Sequence, residues 1–245
     1  MTAAGLVGLA ALAWAWVVRM AGPAGPPTVT MAARSGMNSG LTPALPWLAG
    51  MWAVMMVAMM LPSAAPTILM FGTVTRRRRL EGRPAVPVAV FTLGYLAVWV
   101  FYAIVAATAQ WELHRLALLS PSMAAASPAL AGGLLIAAGL YQWMPFKGAC
   151  LSHCRSPFHF FSAEWREGVG GALAMGMRHG SYCVGCCWLL MALLFVAGVL
   201  NLLWVAVLAG FVLLEKLVPR GDWIGRVGGV AMVMWGVWVM SGGVF

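Results

Sequence analysis

The chain has 245 residues, of which 62% are hydrophobic and 9% are charged. Soluble proteins average about 25% charged residues, so this composition excludes an ordinary soluble domain and predicts an integral membrane protein. The formal net charge is +9, but the basic residues lie in short segments between apolar runs, where they set membrane orientation. We therefore exclude nucleic acid as a partner and expect the lipid bilayer instead.

Seven apolar segments follow one another, and each is close to the ~20 residues that a spanning helix needs. The runs are continuous rather than alternating, which predicts helices and not a barrel. The predicted fold class is all-α: one polytopic transmembrane helical bundle of about seven spans over residues 1–245. The segments are Ala4–Met20, Leu45–Phe71, Val86–Thr108, Ala124–Met144, Ser181–Val199, Leu202–Val218 and Ile224–Phe245.

Two details refine these segments. The first segment has no basic residue before it and Arg19 lies at its far end, which favours a retained span over a signal peptide. The uncharged stretch 181–214 would run about 50 Å as one helix, well beyond the ~30 Å hydrocarbon core. The sequence therefore predicts a turn at Gly198–Asn201.

The basic residues predict the orientation of the bundle. Arg76–Arg79 follow the second segment, and translocating four adjacent arginines is disfavoured, so this loop is expected inside. Counting alternate loops, the inner side also carries Arg83, Lys147, Arg155, Arg166, Arg178, Lys216, Arg220 and Arg226, and the outer side Arg19, Arg34 and Arg115. The amino terminus is then cytoplasmic and the carboxyl terminus external.

All five cysteines and three of the four histidines fall within residues 150–187, on the predicted cytoplasmic side. The first half of this cluster has Cys150, His153 and Cys154 at positions i, i+3 and i+4. Residues with this spacing share one face of a helix. Two sulfurs and one imidazole are therefore expected to point the same way.

The second half has His179, Cys183, Cys186 and Cys187, where the fifth segment is expected to enter the bilayer. Helical spacing again places these side chains on one face. Small residues let membrane helices approach closely, so the glycines among them are expected to leave room for a partner helix. These glycines are Gly176, Gly180 and Gly185.

Thiolates combined with imidazole or thioether suit Cu(I), Zn(II) or iron–sulfur chemistry and disfavour hard ions. We expect Cu(I) first and Zn(II) second, at a site that both halves of the cluster build. Neither half has the spacing of a structural zinc finger. The alternative is packing, since a free buried cysteine also behaves as a small hydrophobe.

A methionine stripe runs along the second segment at Met51, Met55 and Met59, which share one helical face. Thioethers bind Cu(I) but few other biological ions, so the stripe is a candidate metal path toward the cysteines. Pro62 and Pro66 would then loosen the helix just beyond it. Flexible apolar packing is the alternative interpretation.

Charge is otherwise nearly absent from the apolar segments. Glu215 and Lys216 at the end of the sixth segment are the exception. We expect a local ion pair or snorkelling side chains, with a supporting role beside the metal ligands as the alternative.

Four motifs together carry a resemblance to a known family. They are the methionine-rich second segment running into Leu61-Pro62-Ser63-Ala64-Ala65-Pro66, Cys150-Leu151-Ser152-His153-Cys154-Arg155-Ser156-Pro157, Met177-Arg178-His179-Gly180-Ser181-Tyr182-Cys183-Val184-Gly185-Cys186-Cys187-Trp188, and Leu214-Glu215-Lys216. The chain resembles a bacterial family of predicted metal-binding integral membrane proteins, a domain of unknown function. The likeness covers about residues 47–216, and the spans at about 4–20 and 224–245 lie outside it. It implies metal binding and a multi-pass protein of the bacterial inner membrane.

Three functions fit these observations. The first is soft-metal transport, delivery or sensing, with a metallochaperone or a membrane metalloenzyme as partner. The second is an enzyme, a thiol-disulfide oxidoreductase that uses the Cys183/Cys186 pair; the predicted cytoplasmic side disfavours it, because such enzymes work on the oxidising side. The third is a structural or assembly subunit of a larger membrane complex.

Overall fold

The computed structural model describes residues 3–21, 45–120 and 123–243. The described residues form ten helices and no strand beyond one isolated bridge. The described part of the chain is therefore all-helical, as the sequence predicts. The helices are α1 (Ala3–Ala21), α2 (Leu45–Leu80), α3 (Val88–Arg115), α4 (Pro128–Tyr141), α5 (Pro145–Arg155), α6 (Pro157–Glu164), α7 (Gly168–Ala192), α8 (Leu194–Ala197), α9 (Leu202–Leu217) and α10 (Gly221–Met240).

Five stretches of described helix are long and apolar enough to cross a membrane: α1, α2, α3, α7 taken together with α8, and α10. Helices α4 and α5 together would make a sixth, bent by 67° between them. At 16 residues, α9 is shorter than these five. The seven predicted spans therefore correspond to five full-length helices, one bent pair and one short helix.

Helix ends differ from the predicted segment ends where polar or small residues continue a helix. Helix α2 runs without a break through Pro62 and Pro66 and includes the arginine run that was expected in a loop. Helix α7 begins at Gly168, well before the predicted start at Ser181. The predicted turn at Gly198–Asn201 is confirmed, since Gly198 has φ +96° and the Asn201 side chain accepts a hydrogen bond from the Trp204 amide.

The core of the bundle is a pair of helices whose backbones nearly touch. A Cβ at Gly176 of α7 would lie 2.1 Å from the Phe91 carbonyl oxygen of α3, and a Cβ at Gly94 would lie 2.3 Å from that of Leu173. The expected role of the small residues of α7 is thus confirmed at Gly176. Only glycine permits this approach, so sequence composition fixes the spacing of α3 and α7.

The other helices are arranged around this pair. Helix α2 packs along α3 and also contacts α1 and α9, while α5 lies against α7. Helices α4 and α10 form a second close pair at the side, where Gly139 and Gly229 face each other. Five helices consequently meet in the interior: α2, α3, α5, α7 and α9.

Ion pairs connect the ends of several helices. The Arg78 guanidinium at the end of α2 lies 2.7 Å from the Glu167 carboxylate, which precedes α7. The Trp165 indole and Arg78 both donate to Glu167 and hold the pKa of its carboxyl below the usual value. Arg155 of α5 likewise contacts Asp222 of α10 at 2.6 Å. The carboxylate of each pair is exposed, so each pair contributes little stability individually, but the pairs link helices that are distant in sequence.

A single added methyl group tests the α3–α7 contact. Gly176→Ala is expected to lower the free energy of unfolding by about 1–3 kcal/mol, because its Cβ would overlap backbone that cannot rotate away. Thermal unfolding of the purified protein in detergent measures the change. Gly170→Ala is the matched control on the same helix, since nothing lies within 4 Å of that position. Equal unfolding midpoints for the two variants would contradict the close contact.

Candidate metal centre

Four of the predicted ligands lie on one buried face of α7. His179, Cys183, Cys186 and Cys187 are each no more than 2% exposed. The sequence places the start of this segment at Ser181, whereas α7 begins at Gly168, so these residues lie inside the helix, from His179 near its midpoint to Cys187 in its second half. The reason is that the glycine-rich residues before them, which resemble a loop, are the helical surface that packs on α3.

The two halves of the cysteine cluster meet. The buried Cys154 thiol of α5 lies close to the thiols of Cys183 and Cys186 on α7. The 67° bend between α4 and α5 directs α5 across α7. Residues about 30 positions apart in sequence thus form one group of sulfur atoms.

Cys183 lies at the centre of this group and has two polar neighbours from other helices. The Lys216 ammonium of α9 lies 2.9 Å from its sulfur, and the Tyr95 hydroxyl of α3 lies 3.2 Å from it. Lys216 also donates to the Ser63 hydroxyl of α2 at 3.1 Å. A buried cation therefore faces the thiols, with hydrogen bonds that hold it there.

The local ion pair expected between Glu215 and Lys216 is not formed. Neighbouring residues on a helix point in directions about 100° apart, and the two side chains reach different partners. Glu215 pairs with Lys147 at 2.7 Å, and both are buried. Lys216 faces Cys183 instead. This position agrees with the alternative expectation, a supporting role beside the predicted metal ligands.

A methionine sulfur also lies next to the thiols. The Met60 sulfur is 3.9 Å from the Cys187 sulfur, and the Met60 carbonyl accepts a hydrogen bond from Tyr95. The predicted stripe of Met51, Met55 and Met59 is buried on the same helix, toward its amino terminus. The thioether beside the cysteines therefore belongs to Met60, which is not part of the predicted stripe.

The two predicted histidine ligands differ in their surroundings. His179 is buried among Phe91, Tyr95 and Phe160, and its Nδ1 has no hydrogen-bond partner among the described residues. An unpartnered buried nitrogen one turn from Cys183 fits a soft metal ion. His153 instead stacks on the Tyr182 ring at 4.3 Å, with its Nδ1 2.8 Å from the Ala149 carbonyl oxygen, so it faces away from the thiols.

Cys150 also lies at the edge of the group. A Cβ at Gly185 would be 2.8 Å from its sulfur, so the glycine makes room for this thiol beside α7. The Tyr141 hydroxyl donates to the Gly185 carbonyl and holds the helix at this point. Cys150 is therefore near the centre without the contacts that Cys154 makes to Cys183.

The thiols are engaged with other groups in this structure. Cys186 and Cys187 both donate to the Cys183 carbonyl oxygen, at 3.1 and 2.9 Å. Among residues 3–21, 45–120 and 123–243, no three His, Cys, Asp or Glu side chains are arranged to hold a metal ion together. Ligation by these residues would require the thiols to turn from the backbone toward a common point, a rotation about χ1.

Comparison with known proteins decides the family. Residues 49–239 match the PpoB2 copper chaperone family. The chain belongs to this family. The match extends past the resemblance at about 47–216 and includes nearly all of α10. Searches of curated proteins and of solved structures gave no match.

For a member of a copper chaperone family, the residues missed by sequence reasoning are informative. They are Tyr95, Ser63 and Met60, which come from α2 and α3 and touch the cysteines or Lys216. Nothing in the sequence distinguishes Tyr95 from other aromatic residues of an apolar helix. Ser63 and Met60 do lie in or beside the motif Leu61–Pro66, and an intramembrane lysine such as Lys216 is itself a signal of function.

The contact between the two halves can be tested by oxidation. The oxidant diamide is expected to form a disulfide between Cys154 and a cysteine of α7, because their thiols already lie close together and disulfides need close, facing side chains. Mass spectrometry of proteolytic peptides would identify the α5–α7 pair. Cys154→Ser is expected to lose it, and Cys150→Ser, the matched change on the same helix, to keep it. A disulfide that persists in Cys154→Ser contradicts this geometry.

Proposed function

We propose that this protein is a multi-pass membrane copper chaperone that binds Cu(I) at the cysteine centre and delivers it to a membrane metalloenzyme. The observation that carries the proposal is the group of sulfur atoms that Cys154, Cys183, Cys186, Cys187 and Met60 form inside the bundle. The match to a copper chaperone family supports copper as the cargo. The ligands of the transferred ion are drawn from this group together with His179.

The donor atoms favour Cu(I) over Zn(II). Thiolate and thioether are soft ligands, and Cu(I) is the soft ion among the common biological metals. Met60 is a donor that zinc sites do not use, whereas copper sites do. A Cu(I) ion also accepts few ligands, so the centre needs to turn only a few thiols toward it.

Charge balance supports the same assignment. A Cu(I) ion held by a pair of thiolates carries one net negative charge, which is costly inside a bundle unless it is paired. Lys216 supplies one positive charge 2.9 Å from Cys183. The ammonium and the cuprous dithiolate together are neutral, so the Cu(I) ion can be bound without leaving a net charge buried in the bundle.

The proposal includes a location and an orientation. The long apolar helices suit a bacterial inner membrane, and the basic loops suit a cytoplasmic amino terminus and an external carboxyl terminus. Cu(I) would then be received on the cytoplasmic side, from a metallochaperone or a small thiol. Several neighbouring thiols can exchange the Cu(I) ion among themselves. The ion can then be released to a partner without first being bound very tightly.

Copper binding separates the proposed ligands from their neighbours. In an anaerobic competition with the chelator bathocuproine disulfonate, Cys183→Ser and Cys154→Ser are expected to lower Cu(I) affinity at least 10- to 100-fold. Loss of a group that merely supports a ligand typically costs this much, so loss of a ligand costs no less. The absorbance of the chelator complex measures the Cu(I) that the protein gives up.

Cys150→Ser is the matched control, because it makes the same chemical change one turn away on α5. It is expected to retain nearly all of the affinity. Equal Cu(I) affinity in the wild type and all three variants would show that the metal does not bind at this centre. An equal loss of Cu(I) affinity in Cys150→Ser and Cys154→Ser would show that both cysteines of α5 are ligands.

Lys216 provides a second test that leaves every sulfur in place. Lys216→Gln is expected to weaken Cu(I) binding about 10-fold or more, because the buried anionic complex loses its counter-charge. The same competition assay measures it, with the thermal unfolding midpoint of the metal-free protein as a check on folding. Arg220→Gln, which removes one positive charge from an exposed position after α9, should leave the affinity unchanged. Identical affinities for both variants would contradict the charge argument.

A further inference from the structure

A second polar site lies beside α5, and no cysteine lines it. It is a cavity of ≈ 430 Å³ between the α4–α5 bend and the start of α10. The proposed copper function uses none of its side chains. The polar residues that define it are Gln142, Lys147, Arg155, Glu215, Asp222 and Arg226.

Both carboxylates of this cavity already have cationic partners. Glu215 lies 2.7 Å from the Lys147 ammonium, and Asp222 lies 2.6 Å from the Arg155 guanidinium. Arg226 is exposed and has no partner for its guanidinium among the described residues. The cavity therefore has one cation more than its carboxylates balance.

Gln142 adds a hydrogen-bond donor that lacks an acceptor. Its amide oxygen faces the Lys147 ammonium, so its amide nitrogen is directed elsewhere. This residue is 8% exposed, and its Nε2 has no partner among the described residues. Buried polar atoms in native proteins are nearly always paired, so the unpaired donor of this cavity-lining residue indicates a missing acceptor, which the buried amide nitrogen would reach by turning toward the cavity.

The rim of the cavity is apolar. Trp143 and Met144 line its edge and are 43% and 52% exposed, and the neighbouring Phe146 is 61% exposed. Aromatic residues beside a basic pocket are typical of the membrane–water interface. At that interface, the acceptor groups that surround a membrane protein are the phosphates of phospholipids, and basic pockets between helices bind such headgroups.

We propose that this cavity binds a phosphate group, with the Arg226 guanidinium and the Gln142 amide as its donors, and that an anionic phospholipid is its source. Guanidinium and phosphate match in charge and geometry. The lipid headgroup would close the gap between the α4–α5 bend and α10 and steady the bend that places Cys154 on α7. The lipid source rests on the proposed membrane location, whereas the phosphate site itself does not depend on copper binding.

The experiment uses the full-length, metal-free protein, stripped of lipid in dodecyl maltoside. Its thermal unfolding midpoint is followed as phosphatidylglycerol is added, and separately with dioleoylglycerol, which has acyl chains but no phosphate. Inorganic phosphate, compared with chloride at equal ionic strength, is the third series. Phosphatidylglycerol is expected to raise the midpoint, and dioleoylglycerol is not.

Variants locate the effect. Arg226→Gln, at an exposed position, is expected to need about 10-fold more phosphatidylglycerol for the same rise, the usual effect of losing a charge-assisted hydrogen bond. Gln142→Glu keeps an oxygen toward Lys147 but repels an anion, and is expected to abolish the rise. Arg220→Gln, the matched control outside the cavity, should behave as wild type.

Each outcome decides the proposal. A rise with phosphatidylglycerol alone, sensitive to Arg226 and Gln142, supports a lipid phosphate. A rise with inorganic phosphate as well, with the same sensitivity, keeps the phosphate site and makes free phosphate its source. Equal protection by dioleoylglycerol, or equal responses of Arg226→Gln and Arg220→Gln, would overturn it. Because copper is absent throughout, these results are independent of the Cu(I) assay.

Discussion

The close approach of α3 and α7 is the constraint on which the rest of the structure depends. Gly94 and Gly176 remove the side chains that would keep the two backbones apart. At this spacing, the Tyr95 hydroxyl reaches both the Cys183 sulfur and the Met60 carbonyl of α2. Three helices are thus fixed around one cysteine, in a bundle where apolar side chains alone would specify position only loosely.

A buried positive charge gives this arrangement its chemical character. Lys216 is held by the Ser63 hydroxyl and the Cys183 sulfur rather than by a carboxylate. An ammonium in an apolar interior needs a negative partner, and in the proposed function the cuprous thiolate complex is that partner. The nearby carboxylate of Glu215 is already neutralised by Lys147. The bundle therefore separates two buried cations into two environments, one facing sulfur and one facing oxygen.

Helix α5 contributes side chains to both environments. Cys150 and Cys154 lie beside α7, whereas Lys147 and Arg155 line the polar cavity. Bending the chain between α4 and α5 is what allows a short helix to lie between both sites. A change that shifts α5 would alter the cysteine centre and the cavity together, so the two are mechanically linked.

The sequence by itself determined the helical class, the turn at Gly198–Asn201 and the confinement of all thiols to residues 150–187, because hydropathy and helical spacing are local properties. It did not determine that α7 begins at Gly168, since glycines that pack helices look like glycines of a loop. Only the tertiary structure decided which donors converge. Tyr95 and Lys216 reach Cys183, whereas His153 turns toward Tyr182, because such contacts depend on how separate helices cross rather than on spacing within one.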